Sequence, residues 1–275
     1  STLMRSSAAS DVYKRQPENK TENAMTFPMI ALLQAGYYAE PHAARYDAAT
    51  MGMFVLIIAI GVIGFIVQAR LQSVFKKYSK VQFPGGLTGA EVAEKMLRDN
   101  NIHNVKVTHV GGHLTDHFNP QTMTVNLSDS VYSSSSVAAA AVAAHECGHA
   151  VQHAHAYAPL KMRSSLVPVI SFASNWMMWV LLIGMFTLNV FPQIMLFGII
   201  LFAATTLFSF ITLPVEIDAS RRAVKWLSEA GVTNNRNYGA AVSALRSAAY
   251  TYVVAALGSL ATLLYYVMIF LGRRD

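Results

Sequence analysis

Residues 143–152 read Ala-Ala-His-Glu-Cys-Gly-His-Ala-Val-Gln and match the pattern H-E-x-x-H. In a helix, His145 and His149 lie one above the other on the same face, where their imidazole nitrogens can bind one Zn²⁺. Glu146 can take a proton from a water molecule and pass it to a leaving amine. The pattern predicts two ligands of a hydrolytic zinc site, with Glu146 as the catalytic base. The alternative is that both histidines only form hydrogen bonds within the helix.

The residues around this motif favour a closely packed helix. Alanine and valine dominate residues 137–144 and 150–156, and Pro159 marks a point at which the helix must have ended. Cys147 lies two residues from His145, on another side of the helix, so it is predicted to be a packed side chain and not a zinc ligand.

The composition is that of a membrane protein. Hydrophobic residues make up 53% of the 275 residues and charged residues only 13%, which is more apolar than most soluble proteins. The formal net charge is +6, but no basic run is interleaved with aromatic residues, so we expect no nucleic acid partner. Basic residues that flank membrane spans explain the positive sign more simply.

Long apolar runs predict about four transmembrane helices. Arg70, Lys76, Lys77 and Lys80 follow the first run, so this helix should end on the cytoplasmic side. The next two runs are joined by a few residues around Phe191-Pro192 and form a hairpin, which returns the chain to the side it left. The predicted segments are a partly disordered or non-native tail at 1–50, a span at 51–69, the hairpin at 166–213 and a last span at 249–272.

The basic residues outside the spans set the orientation. Most of them fall on the predicted inner side, whereas Arg273-Arg274 falls on the outer side, against the usual bias. We therefore expect the active site to face the cytoplasm. The inner basic residues are Lys161, Arg163, Arg221, Arg222, Lys225, Arg236 and Arg246.

Residues 70–165 are predicted to form a water-soluble α+β domain. Thr88-Gly-Ala-Glu91 is a capping box that opens a helix ending at Arg98. A short strand is predicted at Val105–His109, and residues 113–118 can pair with residues 122–127. This last strand is either an edge strand that holds a substrate backbone or an ordinary hairpin strand. The predicted fold class is a mainly α membrane protein with about four transmembrane helices and a small α+β, zincin-like catalytic domain.

A third ligand is predicted directly after the hairpin, in Leu213-Pro-Val-Glu-Ile-Asp-Ala-Ser-Arg-Arg-Ala223. Pro214 suits the first turn of a new helix, which together with a linker occupies residues 214–248. Glu216 lies in that turn at the mouth of the membrane, where a charge is unfavourable unless it is paired or ligating. Asp218 projects from a different face, so only one of the two acids should reach the metal. The alternative for both is a salt bridge with a neighbouring arginine.

Four motifs follow one another along the chain: Gly112-His-Leu-Thr-Asp-His-Phe-Asn-Pro120, the residues 143–152 quoted above, Leu213–Ala223 and Ala244-Leu-Arg-Ser-Ala-Ala-Tyr-Thr-Tyr-Val-Val254. In these motifs the chain resembles the bacterial membrane neutral zinc metallopeptidases, often labelled YugP-like. The resemblance covers about Met51 to the end. It implies an integral membrane metallopeptidase with Zn²⁺ on His145, His149 and Glu216.

The layout is also similar, more distantly, to HtpX-type heat-shock proteases and prenyl-protein endopeptidases, which place this glutamate after a membrane hairpin. Those groups usually carry an aspartate four residues beyond the glutamate, and Ser220 stands at that position here. A serine hydroxyl would accept the histidine N–H less strongly, and such partners typically shift metal affinity or activity about 10- to 100-fold. For the donor to the transition-state oxyanion, the candidates are Arg221, Arg222 or a histidine.

Six histidines outside the H-E-x-x-H motif could suggest a second metal site, but they are not spaced as one cluster. We expect them to be solvated or hydrogen-bonded, although His153 extends the helix face of His149 by one turn and can neighbour the cleft. These histidines are His103, His109, His113, His117, His153 and His155.

These features predict a membrane-embedded, gluzincin-like zinc endopeptidase of the bacterial inner membrane. Its partners would be a protein or peptide substrate and membrane lipid, and the sequence assigns no oligomeric state. A zinc transporter is a rival hypothesis, but it would need polar residues facing one another at mid-span. An intramembrane protease and a metal-dependent scaffold with an idle site are two further hypotheses. The polar residues within the spans are few beyond Ser171, Ser174, Asn175, Thr205 and Thr206.

Overall fold

The computed structural model describes residues 48–82, 85–112, 114–231, 233 and 237–272. The predicted tail up to residue 47, His113, Arg236 and Arg273-Arg274 lie outside the described residues. In the described residues the elements follow in the order α1 (Ala48–Tyr78), α2 (Gly89–Asp99), β1 (Lys106–Val110), β2 (His117–Asn119), β3 (Thr124–Ser128), α3 (Asp129–Tyr132), α4 (Val137–Ala154), α5 (Ala158–Phe186), α6 (Pro192–Glu229) and α7 (Tyr238–Gly272).

Helices α1, α5, α6 and α7 are long and apolar enough to cross a membrane, by length and composition. Many large apolar side chains on these helices are exposed, for example Ile66, Trp179 and Phe186. Such surfaces are stable in lipid and unfavourable in water. The predicted fold class, a mainly α membrane protein with about four spanning helices and a small α+β domain, is confirmed.

The chain divides into two compact units. Unit 1 contains Ala69–Ser165 and Ile211–Tyr250, and unit 2 contains, of the described residues, 48–68, 166–210 and 251–272. The chain thus leaves unit 1 after the H-E-x-x-H helix α4 and re-enters it shortly before Glu216. Residues on either side of the hairpin therefore belong to the same unit.

Unit 2 is a bundle of apolar helical segments. Gly184 of α5 lies so close to α6 that an added Cβ would come within 2.6 Å of the Met195 Cα. Small residues allow such close packing where lipid provides no hydrophobic driving force between helices. Thr206 and Ser259 share a hydrogen bond of 2.6 Å between their hydroxyls, which joins α6 to α7 inside the bundle.

Unit 1 is built around a small sheet that packs with α2 and α4. The strand order is β1-β3-β2, with β1 parallel and β2 antiparallel to β3. Alternate residues of β3, Val125 and Leu127, are fully buried in the core of this unit. The capping box of Thr88 and Glu91 begins α2 as predicted.

The hypothesis that residues 122–127 form an edge strand is wrong. Strand β3 is central, because β1 pairs with one side of it and β2 with the other. The parallel pairing of β1 joins residues far apart in the sequence, such as Lys106 and Thr124. Of the two strands on either side of β3, β2 is the one whose Phe118 contacts the H-E-x-x-H helix.

The prediction that a new helix begins at Pro214 is also wrong. Helix α6 runs without a break from Pro192 to Glu229, with Pro214 inside it. A proline removes only its own N–H from the helix, whereas ending the helix in apolar surroundings would leave several backbone groups without partners. In the same way, residues 238–248, predicted as part of a linker, are the first turns of α7.

Candidate metal centre

Helix α4 and the part of α6 that belongs to unit 1 bring together the three side chains predicted to bind zinc. His145 and His149 lie one turn apart on α4, and Glu216 lies on α6. Glu216 Oε2 is 3.3 Å from His145 Nε2 and 3.7 Å from His149 Nε2. One ligand atom from each residue lies within 4.8 Å of the other two, so the three could hold one metal ion.

The outward-facing nitrogen of each imidazole has a neutral partner. Ser220 Oγ lies 3.1 Å from His145 Nδ1, and Gln152 Oε1 lies 3.0 Å from His149 Nδ1. The amide nitrogen of Gln152 donates to the Val215 carbonyl and to Asp218, each at 2.8 Å. These two acceptors orient the amide, so its oxygen faces His149 and accepts the Nδ1 proton.

On His149, whose Nδ1 proton is accepted by Gln152, Nε2 presents a lone pair toward the Glu216 carboxylate, which also offers only lone pairs. The Ser220 hydroxyl can accept the Nδ1 proton of His145 in the same way, which leaves the His145 Nε2 lone pair toward Glu216. Three acceptor atoms in one buried place are stable together only with a proton or a cation among them. Two imidazole nitrogens and a carboxylate oxygen form the donor set that catalytic zinc uses, and they leave one coordination position open. The residues present therefore fit Zn²⁺.

A glycine allows the two ligand-bearing helices to approach each other. Gly148 lies between the two histidines, and a Cβ there would come within 2.6 Å of the Ala219 carbonyl oxygen and 3.1 Å of its Cα. Ala219 is three residues after Glu216 on α6. Gly148, the second x position of the motif, is thus part of the helix contact that brings Glu216 to the histidines.

Replacing Gly148 by alanine is expected to destabilise the protein and to weaken zinc binding. The new methyl group would collide with backbone atoms of Ala219, which cannot rotate away, so α4 and α6 would have to separate. Overpacking of this kind costs about 1–3 kcal/mol. Thermal unfolding in detergent and zinc titration against a competing chelator measure the two effects. Gly239→Ala is the matched control, since nothing lies within 4 Å of a Cβ there. An unchanged melting temperature in Gly148→Ala would show that the close approach is dispensable.

Glu146 lies beside the triad and contacts the sheet. Its Oε2 accepts a hydrogen bond of 3.1 Å from the Phe118 N–H of strand β2. Burial raises the pKa of Glu146 to about 7, His145 and the Phe118 N–H lower it, and the nearby carboxylates of Glu216 and Asp116 raise it. The side chain is still partly exposed, so water can reach it.

Asp218 does not join the triad. Its Oδ2 accepts from Arg222 Nε at 2.6 Å as well as from Gln152. Asp218 thus forms the salt bridge with a neighbouring arginine that is the alternative to ligation. Cys147 is fully buried and its thiol points to the Ala93 carbonyl, 3.5 Å away. Burial raises the pKa of this thiol above its ordinary value, which is typical of a packed cysteine.

The other described histidines form no second metal cluster within the described part of the chain. His109 pairs with Asp129 at 2.5 Å, His117 Nδ1 donates to the Thr115 carbonyl at 2.8 Å, and His155 Nδ1 donates to the Val151 carbonyl at 2.8 Å. The His153 ring packs against Phe118, with ring centroids 5.7 Å apart. His153 thus neighbours the contact between Phe118 and Glu146.

Gln152 and Arg163 are among the residues of the site that the sequence does not predict. Gln152 is three residues after His149, a spacing that puts the two on neighbouring positions of a helix, and this signal could have found it. In the sequence, Arg163 serves only to predict the orientation of the chain in the membrane. In the structure, its Nη1 lies 3.3 Å from Glu216 Oε1. No local pattern joins residues 163 and 216, because the hairpin separates them.

Comparison with known proteins shows to which family the chain belongs. Residues 53–271 match the family described as "Putative neutral zinc metallopeptidase". The protein named "Putative membrane protease YugP" from Bacillus subtilis (strain 168) is 44% identical over 225 residues, which cover 81% of this chain and 98% of that protein. No solved structure matches the chain. On the match to residues 53–271 and the identity to the Bacillus protein, the chain belongs to the family described as "Putative neutral zinc metallopeptidase".

Proposed function

We propose that the protein is a membrane-embedded, zinc-dependent endopeptidase. The observation that carries this proposal is the convergence of His145, His149 and Glu216 within 4.8 Å, next to the partly exposed carboxylate of Glu146. Membership of a zinc metallopeptidase family and the name of the Bacillus relative support it. A zinc site with a purely structural role would not need Glu146, a carboxylate that lies beside the ligands and is not one of them.

Each residue has a role in this proposal. His145, His149 and Glu216 would hold Zn²⁺. When bound, the ion would polarise the scissile carbonyl and make a water molecule more acidic. Glu146 would take a proton from the attacking water and deliver it to the leaving amine. The hydrogen bond from the Phe118 N–H orients the Glu146 carboxylate for this transfer.

The substrates would be membrane-associated proteins or peptides in an extended conformation. Strand β2 lies at the end of the strand order, and its Phe118 contacts Glu146. An extended peptide that pairs with this strand would have its backbone beside the catalytic carboxylate. The four apolar helices support a substrate that is itself at the membrane.

The site would face the cytoplasm from the inner membrane of a bacterium. Arg70, Lys76, Lys77 and Lys80 follow the apolar run of α1 and are exposed, and they belong to unit 1, which also holds the candidate site. Basic residues next to a span are typical of its cytoplasmic side. The Bacillus relative, described as a membrane protease, is consistent with a bacterial membrane.

Removing the metal is expected to stop cleavage, and returning zinc is expected to restore it. The full-length protein in liposomes would be incubated with casein or a membrane-protein substrate, with and without phenanthroline, because the triad is the proposed source of the Lewis acid. Phenanthroline saturated with zinc beforehand is the control for effects of the chelator itself. Continued cleavage by metal-free protein would contradict the proposal, as would zinc flux into the liposomes without any cleavage.

A further inference from the structure

The two oxygens of the Glu216 carboxylate have different partners. Oε2 faces the two imidazoles, at 3.3 Å from His145 Nε2 and 3.7 Å from His149 Nε2. Oε1 faces Nη1 of Arg163, at 3.3 Å. Arg163 lies near the start of α5, in the part of that helix that belongs to unit 1. The site thus contains a cation that the H-E-x-x-H pattern does not include.

Both partners of this ion pair are withdrawn from solvent. The side chain of Glu216 is 4% exposed and that of Arg163 is 13% exposed. Removing charges from water is strongly unfavourable unless they are well paired. A guanidinium cannot avoid this cost by losing its proton, because it stays protonated in proteins. A permanent positive charge is therefore held beside a site for a second cation.

Attraction for the metal does not explain this position. A guanidinium repels a divalent cation, so Arg163 would lower zinc affinity if its charge were its only effect. What the contact does supply is orientation: it occupies Oε1 and leaves Oε2 toward the imidazoles. A carboxylate free to offer both oxygens could fill the coordination position that a catalytic zinc site keeps open.

We propose that Arg163 is a positioning residue that reserves one oxygen of Glu216 and so keeps the metal site open for substrate and water. This inference rests on the proposed function, since it needs a metal at the triad. It makes Arg163 part of the site through Glu216, with no contact to the reacting atoms required.

The test uses the full-length protein with Co²⁺ in place of zinc, because cobalt's visible absorption becomes weaker when a fifth ligand is added to a four-coordinate site. In Arg163→Met we expect weaker visible bands than in the wild type. With zinc, we expect kcat to fall by about 10- to 100-fold, the range seen for partners of metal ligands, while KM changes little. Arg163→Lys keeps a cation near Oε1 and should restore the wild-type spectrum in part.

Lys161→Met is the matched control, since Lys161 is an exposed basic residue on the same helix two positions away. A spectrum and kcat in Arg163→Met equal to those of the wild type would overturn the inference. If Arg163→Met does not fold, Arg163→Lys is measured in its place. A cobalt spectrum and a kcat in Arg163→Lys equal to those of the wild type would show that any cation at this position is sufficient, and this would overturn the positioning role. A wild type that binds neither cobalt nor zinc would instead contradict the proposed function itself.

Discussion

Replacing Glu146 by glutamine is expected to lower the rate of peptide hydrolysis by roughly 10²- to 10⁴-fold, the contribution of a positioned proton-transfer group. Glutamine has nearly the shape of glutamate, and its amide oxygen can still accept the Phe118 N–H. It cannot take a proton from water at neutral pH. The ligand atoms of the triad are unchanged, so the zinc content should stay at the wild-type level. Single-turnover cleavage and elemental analysis of the same preparation measure the two quantities.

Glu94→Gln is the matched control for this change. Glu94 is an exposed glutamate of α2 whose partner is Arg98, at 3.7 Å, and it lies outside the site. Its replacement should leave cleavage unchanged. Full hydrolysis by Glu146→Gln would remove Glu146 from the mechanism, and loss of zinc from that variant would mean that the carboxylate helps to hold the ion.

The membrane helices and the H-E-x-x-H helix could be predicted because their signals are local. A span needs only a long apolar run, and two histidines four residues apart share a helix face whatever surrounds them. The position of Glu216 could be proposed from a charge at a membrane boundary and from an even number of intervening spans. Neighbouring residues and simple topology are enough for these predictions.

The strand order could not be predicted, because it depends on contacts distant in sequence. Alternation of side chains in residues 122–127 predicts a strand but does not say which strands pair on either side. Strand β3 is central because β1 pairs with it in parallel on the side opposite β2. The outer strand that contacts Glu146 is therefore β2 and not β3.

Proline gives a misleading local signal in this chain. Pro214 indicates the start of a helix because proline suits that position in soluble proteins. In apolar surroundings a continuous helix loses one hydrogen bond at a proline, while an interrupted helix loses several. The same balance applies at Pro168, inside α5. Helix boundaries near a membrane therefore need the energetics of lipid as well as local propensity.

Replacing Glu216 by alanine is expected to remove zinc from the protein. The change takes away one of three ligand atoms. The loss of zinc affinity should therefore be larger than the loss of about 10- to 100-fold that follows when a hydrogen-bond partner of a metal ligand is removed. Asp218→Ala is the matched control: it removes an acid from the same helix whose carboxylate bonds to Arg222 and Gln152. Gln152 would keep its bond to the Val215 carbonyl and still face His149.

The most direct measurement is the zinc content of wild-type, Glu216→Ala and Asp218→Ala proteins, purified side by side and dialysed against a competing chelator. We expect one zinc per chain in the wild type and in Asp218→Ala, and almost none in Glu216→Ala. A full complement of zinc in Glu216→Ala would contradict the claim that side chains from α4 and α6 share one metal ion.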